Sequence, residues 1–486
     1  MDVISAPLAI IYTKSLEEGV VPEDWKCANI TPIFKKGSKA SAGNYRPVSL
    51  TSVLCKVMES ILRDAIVDHL TVNKLLLPSQ HGFMKSKSCL TNLLEYLDKL
   101  TKLVDEGHSV DIIYCDFAKA FDKVPHQRLL IKMKAHGIQG KILRWVEEWL
   151  SGRKQRVVLN GQSSGWSSVT SGVPQGSCLG PTLFLIFIND IDNCINTITG
   201  IISKFADDTK VGRVVADEKD REELQREIDN LMDWTNKWQM EFNASKCKVI
   251  HFGKKNPGYS YTMGGFAPAG VVLEAVEEEK DVGVMVSNTL KPSSQCAKAA
   301  KKANQVLGQM VRAFHYRDKH TWIKLYKTYV RCHLEYSIQA WSPWTEGDKK
   351  MLEAVQRRAV GMVSGLEGRS YEERLKECGL TSLEDRRQRG DMIEVWKILH
   401  GKEDVDPSTL FSMANDAADQ ITRSSSYSLN VVKPKFKNDP RKYFFSVRSC
   451  ETWNNLPYSV RESKSLNTFK NNYDEWYNEQ SLLQSL

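Results

Sequence analysis

Three aspartates stand at the ends of apolar, strand-like segments, and their placement constrains the fold more than any other feature. Asp116 closes the apolar run 110–115, and the pair Asp207 and Asp208 lies between two β-rich runs within residues 201–215. A hairpin over 201–215 would hold both carboxylates of the pair at its tip. Several carboxylates in one pocket repel each other, so such a cluster stays ionised only when cations neutralise it.

Between these aspartates lies a loop with the sequence GVPQGS at residues 172–177. A carboxylate after a buried strand, a Gly/Pro/Gln loop and then two carboxylates at a turn is the order expected of a template-directed polymerase. In-line nucleotidyl transfer is assisted by two Mg²⁺ ions roughly 3.5–4 Å apart, which need carboxylate oxygens that converge from different segments.

Length and composition are typical of a large soluble protein. The chain has 486 residues, so two or three subdomains are expected. It is 41% hydrophobic and 26% charged, and its formal charge of +8 suits a polyanionic partner, although a mildly basic protein without such a partner has the same charge. No segment approaches the ~18 apolar residues of a membrane span, so we expect no membrane partner.

The eleven cysteines are scattered, without a C-x-x-C pair or a Cys/His cluster at zinc-ligand spacing. A disulfide framework is not expected in a large chain without a secretory signal, and residues 1–19 lack the basic n-region of such a signal. The pattern therefore favours a reducing, intracellular compartment.

Up to about residue 290, periodicity predicts alternating helices and strands. The basic turn 35–39 indicates a hairpin within residues 22–50, and Asn160-Gly161 indicates a second hairpin. A strand is predicted at 110–117, and helices are predicted at 53–70, 89–104, 125–150 with a break near 137–140, 181–195 and 224–238.

After about residue 290 the pattern becomes helical and basic. Residues 401–430 are polar and predict a linker or loop. Residues 433–448 interleave aromatic and basic side chains, and could stack on bases while binding phosphates through Lys433, Lys435, Lys437, Arg441 and Lys442. The alternative is that the aromatic rings belong to the core and the charges are solvated.

Three segments resemble the A, B and C motifs of reverse transcriptases: 116–122 (DFAKAFD), 172–181 (GVPQGSCLGP) and 205–208 (FADD). The flanking segments 44–50 (NYRPVSL) and 80–83 (QHGF) narrow the resemblance to non-LTR retrotransposons of the LINE type, in the Jockey and chicken-repeat lineages. Further similar phrases at 325–341, 371–375 and 383–387 extend it over nearly the whole chain.

This resemblance implies an α+β fold of the right-hand polymerase type. Fingers and palm would occupy residues 1–290, a helical thumb-like region 291–400, and a basic C-terminal region 401–486. The implied activity is that of an RNA-directed DNA polymerase, a nucleotidyltransferase that adds dNTPs to a DNA 3′-OH on an RNA template. The alternative is a catalytically inactive or co-opted relic that binds nucleic acid.

The resemblance also assigns catalytic residues. Asp116 and Asp207 would bridge two Mg²⁺ ions, or Mn²⁺ in their place, and Asp208 would complete the cluster. Lys246 matches the motif D lysine that protonates the leaving pyrophosphate, and an exposed lysine without this role is the alternative.

Substrate contacts follow in the same way. Lys35 or Lys36, together with Arg46, matches the triphosphate-binding positions, with a solvated charged turn as the alternative. The sequence does not decide between the two lysines. Phe121 lies where reverse transcriptases keep a bulky side chain beneath the incoming sugar, where a ring would clash with a ribose 2′-OH; a core phenylalanine is the alternative.

Gln175 and Gly176 would pack under the nucleotide and template, since glycine lets the backbone approach closely. Val282, Gly283 and Val284 resemble the primer-grip turn, with a plain β-turn as the alternative.

The implied partners are an RNA template, a DNA primer or target, and dNTPs, in a ribonucleoprotein of the nucleus and cytoplasm. An apurinic-type endonuclease normally precedes this polymerase in such elements, and nothing in the chain supplies one. We therefore expect a reading frame truncated at its 5′ side, or an isolated fragment.

Overall fold

The computed structural model describes residues 2–264, 270–414 and 429–485. The strands are β1 (Cys27–Phe34), β2 (Tyr45–Leu50), β3 (Val110–Cys115), β4 (Lys154–Leu159), β5 (Gln162–Ser163), β6 (Ser167–Ser168), β7 (Gly200–Phe205), β8 (Asp208–Val214), β9 (Lys248–Phe252), β10 (Thr262–Met263), β11 (Val271–Val272), β12 (Glu274–Ala275), β13 (Glu278–Asp281), β14 (Val284–Ser287), β15 (Ser412–Met413) and β16 (Val431–Val432). 

The helices are α1 (Asp2–Glu18), α2 (Glu23–Lys26), α3 (Val53–Val72), α4 (Cys89–Glu106), α5 (Ala120–Lys123), α6 (His126–Ala135), α7 (Gly140–Leu150), α8 (Gly180–Ile188), α9 (Glu218–Trp238), α10 (Ser293–Ala313), α11 (Lys319–Leu325), α12 (Arg331–Glu335), α13 (Ile338–Trp341), α14 (Glu346–Val360), α15 (Tyr371–Glu377), α16 (Leu383–Leu399), α17 (Pro407–Leu410), α18 (Asp439–Lys442), α19 (Phe445–Asn455), α20 (Tyr458–Arg461) and α21 (Leu466–Ser485).

An outer sheet contains β1, β2, β4, β5 and β6. In it, β1 pairs antiparallel with β2 and parallel with β4. The β1–β2 hairpin confirms the prediction for residues 22–50, and the β4–β5 hairpin confirms the turn at Asn160 and Gly161. Both turn residues have positive φ (50° and 79°), which an Asn-Gly pair adopts readily.

A central sheet has the strand order β12-β9-β3-β8-β7. The middle strand, β3, is apolar on both faces because both faces are covered. Val110 and Ile112 pack in the core cluster that contains α4 and the helices after residue 290, whereas Ile113 and Cys115 pack in the cluster that contains α8 and α9. This double burial explains the continuous apolar run.

Asp111 interrupts that run, yet it is as buried as its neighbours. Its carboxylate lies 2.7 Å from His251 Nδ1 and accepts hydrogen bonds from Asn256 Nδ2 (2.7 Å) and the Tyr261 hydroxyl (2.6 Å). These partners offset the cost of burying a charged group in the sheet.

Two of the predicted helices begin at serine caps. The Ser52 hydroxyl accepts the Cys55 N–H at the start of α3, and the Ser88 hydroxyl accepts the Thr91 N–H at the start of α4. The break between α6 and α7 and the position of α9 also confirm the predictions. The helix predicted at 181–195 is shorter, because α8 ends at Ile188 and the chain continues as a 3₁₀ segment over Asn189–Cys194.

The segment after residue 429 packs on the helices that precede it. Both α19 and α21 contact α16, where the rings of Trp396 and Phe469 stack with centroids 5.7 Å apart. Of the linker predicted at 401–430, residues 401–414 include α17, whose Leu410 is buried, and residues 415–428 lie outside the described residues.

Part of the basic-aromatic stretch 433–448 is structural. Arg441 is buried and pairs with Asp98 of α4 at 2.7 Å, and Phe444 and Phe445 belong to the core. The prediction that Arg441 contacts a phosphate is therefore wrong, because a buried carboxylate already neutralises its guanidinium. The exposed basic side chains of the stretch are Lys433, Lys435, Lys437 and Lys442.

Within the described ranges, no helix combines the length and the apolar character needed to cross a bilayer. All eleven cysteines occupy described positions and are free thiols.

Candidate active site

Strand pairing brings the three aspartates to one edge of the central sheet. Cys115 of β3 pairs with Thr209 of β8, so Asp116 and Asp208, the adjacent residues, lie side by side. The β7–β8 hairpin closes at Asp208, and Asp207 lies in its turn. The predicted hairpin tip is thus confirmed.

The carboxylates are close enough to perturb each other's ionisation. Burial raises the pKa of Asp207, and the charge of Asp116 raises this pKa further. Loss of hydration raises the pKa of Asp208 to about 6, with further contributions from the charges of Asp207, Asp281 and Asp116. The site therefore concentrates negative charge that a cation would neutralise.

Lys246 reaches this cluster. Its Nζ lies 3.3 Å from Oδ2 of Asp116. The loop that carries it is bound to the Asp116 backbone, since the Asn243 N–H donates to the Asp116 carbonyl (2.7 Å) and the Asp116 N–H donates to Cys247 Sγ (3.4 Å). The Lys246 side chain remains 55% exposed, so a substrate can approach it.

Two basic residues of the β1–β2 hairpin act on the same site. Burial raises the pKa of Asp207, whereas the charges of Lys35 and Arg46 lower it. Arg46 pairs with Ile33, and the Lys35 N–H continues this register beyond the strand. Because side chains alternate along a strand, Lys35 shares a face with Arg46, whereas Lys36 lies in the bend that follows. The geometry favours Lys35 over Lys36.

The Phe121 ring is held in orientation by other rings. It stacks on Phe184 of α8, with centroids 4.5 Å apart and an interplanar angle of 16°, and it meets Phe83 edge-on at 6.1 Å. One side of Phe121 thus packs against the core, while the residue is still partly exposed. Its contact with the sugar stays a prediction.

The loop at 172–177 docks on β2. The Ser49 N–H donates to the Gln175 carbonyl at 2.7 Å. Gly176 has a φ of +111°, and a Cβ there would lie 2.5 Å from the Ser49 carbonyl oxygen, so the contact requires glycine. The close approach at Gly176 is therefore made to the outer sheet, and the contacts of both loop residues with nucleotide stay predictions.

Val282 and Gly283 form the turn between β13 and β14, and Val284 begins β14. The φ values of the two turn residues are 36° and 103°. The hydroxyl of Tyr336, in the helical region, donates to the Val282 carbonyl at 2.8 Å. The turn is confirmed, and its role as a primer grip stays a prediction.

A buried ion pair that the sequence analysis does not identify joins this turn to the aspartates. Lys210 of β8 and Asp281 of β13 lie 2.7 Å apart, each with 3% of its side chain exposed. The Lys210 ammonium also donates to Asn92 Oδ1 (2.7 Å) and lies over the ring of Tyr96. A lysine two residues after Asp208 is the available sequence signal, and its partners become evident only in the folded chain.

The profile of the family described as reverse transcriptase (RNA-dependent DNA polymerase) matches residues 33–311. The chain belongs to the reverse transcriptase family. The matched range contains the three aspartates, Lys246 and the 282–284 turn. With the central sheet and its carboxylate edge, this membership confirms the predicted α+β fold of the right-hand polymerase type.

Curated relatives of this reverse transcriptase come from mobile elements. The RNA-directed DNA polymerase from mobile element jockey of Drosophila funebris is 26% identical over 374 residues, which cover 74% of this chain and 40% of that protein. The probable RNA-directed DNA polymerase from transposon BS of Drosophila melanogaster is 25% identical over 375 residues, with the same coverage. The Jockey-type resemblance is confirmed, and the chain spans about 40% of the length of these relatives.

Two telomerases are among the solved structures that resemble the chain. Apo telomerase from Candida tropicalis aligns with a TM-score of 0.41 and 12% identity, over 74% of this chain and 62% of that one. Telomerase from Candida albicans in complex with the TWJ fragment of telomeric RNA aligns with a TM-score of 0.40 and 10% identity, over 76% and 68% of the two chains.

Reverse transcriptases depend on divalent metal ions, and the donor set of this one fits such an ion. Asp116, Asp207 and Asp208 offer hard carboxylate oxygens, the ligands that Mg²⁺ and Mn²⁺ prefer. Among the described residues, no three His, Cys, Asp or Glu side chains form a ready-made metal cage. The carboxylate of Asp116 is instead paired with the Lys246 ammonium, which supplies a positive charge beside the three aspartates.

Proposed function

We propose that this reverse transcriptase adds deoxynucleotides to a DNA 3′-OH under the direction of an RNA template. The observation that carries the proposal is the convergence of Asp116, Asp207 and Asp208 at one sheet edge, within the range that matches the family. These carboxylates would hold two Mg²⁺ ions, or Mn²⁺ in their place, which when bound polarise the reacting phosphate and ease deprotonation of the attacking hydroxyl.

Basic side chains around the aspartates bind the incoming nucleotide and complete the reaction. Lys35 contributes a point charge and Arg46 a two-pronged contact to the triphosphate of the incoming nucleotide. Lys246 donates a proton to the leaving pyrophosphate as the bond between the α- and β-phosphates breaks. Its position 3.3 Å from Asp116 supports this role.

Two further features choose and hold the substrates. The Phe121 ring excludes a ribose 2′-OH, so that dNTPs are selected over rNTPs. The 282–284 turn holds the primer end, and the Lys210–Asp281 pair supports this assignment because it ties the turn to β8, the strand that begins at Asp208.

Primer extension tests the proposal. The purified chain is given a DNA primer annealed to an RNA template, the four dNTPs and Mg²⁺. We expect the primer to be extended to the template end, with extension abolished by EDTA and strongly reduced when rNTPs replace dNTPs. Tight binding of the hybrid without any extension would contradict the proposal and indicate a nucleic-acid-binding protein instead.

A further inference from the structure

A short segment supports the catalytic hairpin from the side opposite β8. Residues 79–82 run beside β7, where the Lys204 N–H donates to the Ser79 carbonyl (2.8 Å) and the His81 N–H donates to the Lys204 carbonyl (3.0 Å). Gln80 and Lys204 form a parallel bridge at this point. The segment therefore extends the central sheet next to the turn that carries Asp207.

The Gln80 side chain binds that turn directly. It is buried, with 2% of the residue exposed. Its Oε1 accepts the Ala206 N–H (2.9 Å), and its Nε2 donates to the Ala206 carbonyl (3.2 Å). Oε1 also accepts the Gly82 N–H (2.8 Å). One buried amide thus satisfies both backbone groups of the residue before Asp207.

Ala206 has a conformation that needs such support. Its φ is +57°, in the left-handed region, which is unfavourable for a residue with a Cβ. The backbone direction at Ala206 sets the direction in which the Asp207 side chain leaves the hairpin. If Ala206 relaxed to a negative φ, the Asp207 carboxylate would turn away from Asp116.

The segment is also a rigid support. A Cβ on Gly82 would lie 2.3 Å from the Ala206 nitrogen, so the two backbones meet at a distance that only glycine permits. On the other side, the His81 ring nitrogens lie 2.9 Å from Thr91 Oγ1 and 3.0 Å from Glu95 Oε2 of α4. Gln80 is therefore held between a helix and the turn.

We propose that Gln80 is a positioning residue for catalysis, which holds Ala206 in the left-handed conformation and thereby fixes Asp207 and Asp208 beside Asp116. Gln80 acts through the backbone of Ala206 and does not contact the reacting atoms. The kinetic consequence rests on the proposed function, whereas the structural consequence can be measured without any activity.

Amide hydrogen exchange in the metal-free protein measures the structural consequence. Gln80→Met keeps the length of the side chain and removes its three hydrogen bonds, so exchange across residues 205–209 should become several-fold faster. Gln356→Met is the matched control, because Gln356 is also buried and bonds to Tyr326 and Glu353 in the helical region. It should lower stability and leave exchange at 205–209 unchanged. Equal exchange at 205–209 in the two variants would overturn the proposal.

Steady-state primer extension measures the kinetic consequence. Gln80→Met should lower kcat about a hundredfold, the cost of displacing a catalytic group by ~1 Å, while the KM for dNTP stays within about twofold of the parent value. Gly82→Ala should likewise lower kcat and leave the KM for dNTP nearly unchanged, although Gln80 is intact, because the added Cβ displaces Ala206. A raised KM with unchanged kcat in both variants would overturn the proposal. If the parent protein extends no primer, the proposed function fails, and the exchange measurement still decides the role of Gln80.

Discussion

The ammonium of Lys246 lies 3.3 Å from the Asp116 carboxylate, so a cation of the chain itself is the partner of a proposed metal ligand. The two side chains are 55% and 41% exposed. A pair exposed to this extent contributes little to stability, and it can separate at low cost when a metal ion or nucleotide binds. The arrangement keeps Lys246 within reach of the phosphates without fixing it in place.

Lys246→Gln tests that role. Removal of a general acid typically costs about a hundredfold or more in rate, so we expect kcat for nucleotide addition to fall by that factor. The Mg²⁺ concentration for half-maximal rate should not rise, because the variant leaves Asp116 unpaired and available. Lys254→Gln, at an exposed lysine beyond the other end of β9, is the control. Equal rates for the two variants would remove Lys246 from the mechanism.

Lys35 and Lys36 form a matched pair of variants, since they are adjacent and both exposed. Lys35→Gln should raise the KM for dNTP about tenfold or more, as expected when a charge-assisted hydrogen bond to phosphate is lost. Lys36→Gln should leave this KM near the parent value, because Lys35 and Arg46 are the basic residues whose charges act on Asp207. A larger rise in the KM for dNTP with Lys36→Gln than with Lys35→Gln would contradict the assignment of Lys35 to the triphosphate.

Phe121→Ala should relax sugar discrimination. Removal of the ring opens space beneath C2′, so the ratio of rNTP to dNTP incorporation efficiency should rise, since discrimination is a difference in transition-state binding. Phe83→Ala is the control, because it removes the edge-on partner of Phe121 while Phe121 itself stays stacked on Phe184. An unchanged ratio in an active Phe121→Ala variant would assign this ring to the core alone.

Asp208→Asn should stabilise the metal-free protein slightly and in a pH-dependent way, because Asp208 is exposed and solvent screens part of the repulsion. The pKa of Asp208 is raised from 3.8 to about 6 by loss of hydration and by the charges of Asp207, Asp281 and Asp116. The folded chain therefore binds this proton more tightly than the unfolded chain, and the stability that results is present below pH 3.8 and lost as the pH rises through about 6. Asparagine carries no charge and avoids that loss.

Denaturant unfolding in EDTA checks this prediction at several pH values. Asp208→Asn should have the higher free energy of unfolding above pH 6, and the difference from the parent protein should shrink as the pH falls toward 4. Asp229→Asn, at an exposed position on α9, should show no such trend. A variant that is less stable than the parent protein at neutral pH would contradict the repulsion among the carboxylates.

Features with a local physical cause could be predicted from the sequence. The β7–β8 hairpin, the Asn160-Gly161 turn and the helices that begin at Ser52 and Ser88 each depend on periodicity or on turn and cap residues within a few positions. The approximate place of the three aspartates follows from the same local signals. The end of α8 at Ile188 could not be predicted, because apolar residues continue into the 3₁₀ segment and extend the predicted helix to residue 195.

Buried polar pairs could not be predicted, because their partners are distant in the chain. Lys210 meets Asp281, and Arg441 meets Asp98 across a separation of 343 residues. In each case the sequence shows a charged residue among polar and apolar neighbours, and such a residue is more often solvated than buried. The choice between Lys35 and Lys36 likewise needed the strand register.

The rate of single-nucleotide addition by Asp207→Asn tests the central claim most directly. The substitution keeps the size of the side chain and removes one charge from the carboxylate cluster. On an RNA template with a DNA primer, we predict a rate lower by several orders of magnitude than that of the parent protein and of Asp229→Asn, with the Kd for the template–primer hybrid unchanged. Addition by Asp207→Asn at the parent rate would contradict the assignment of the active site to the three aspartates.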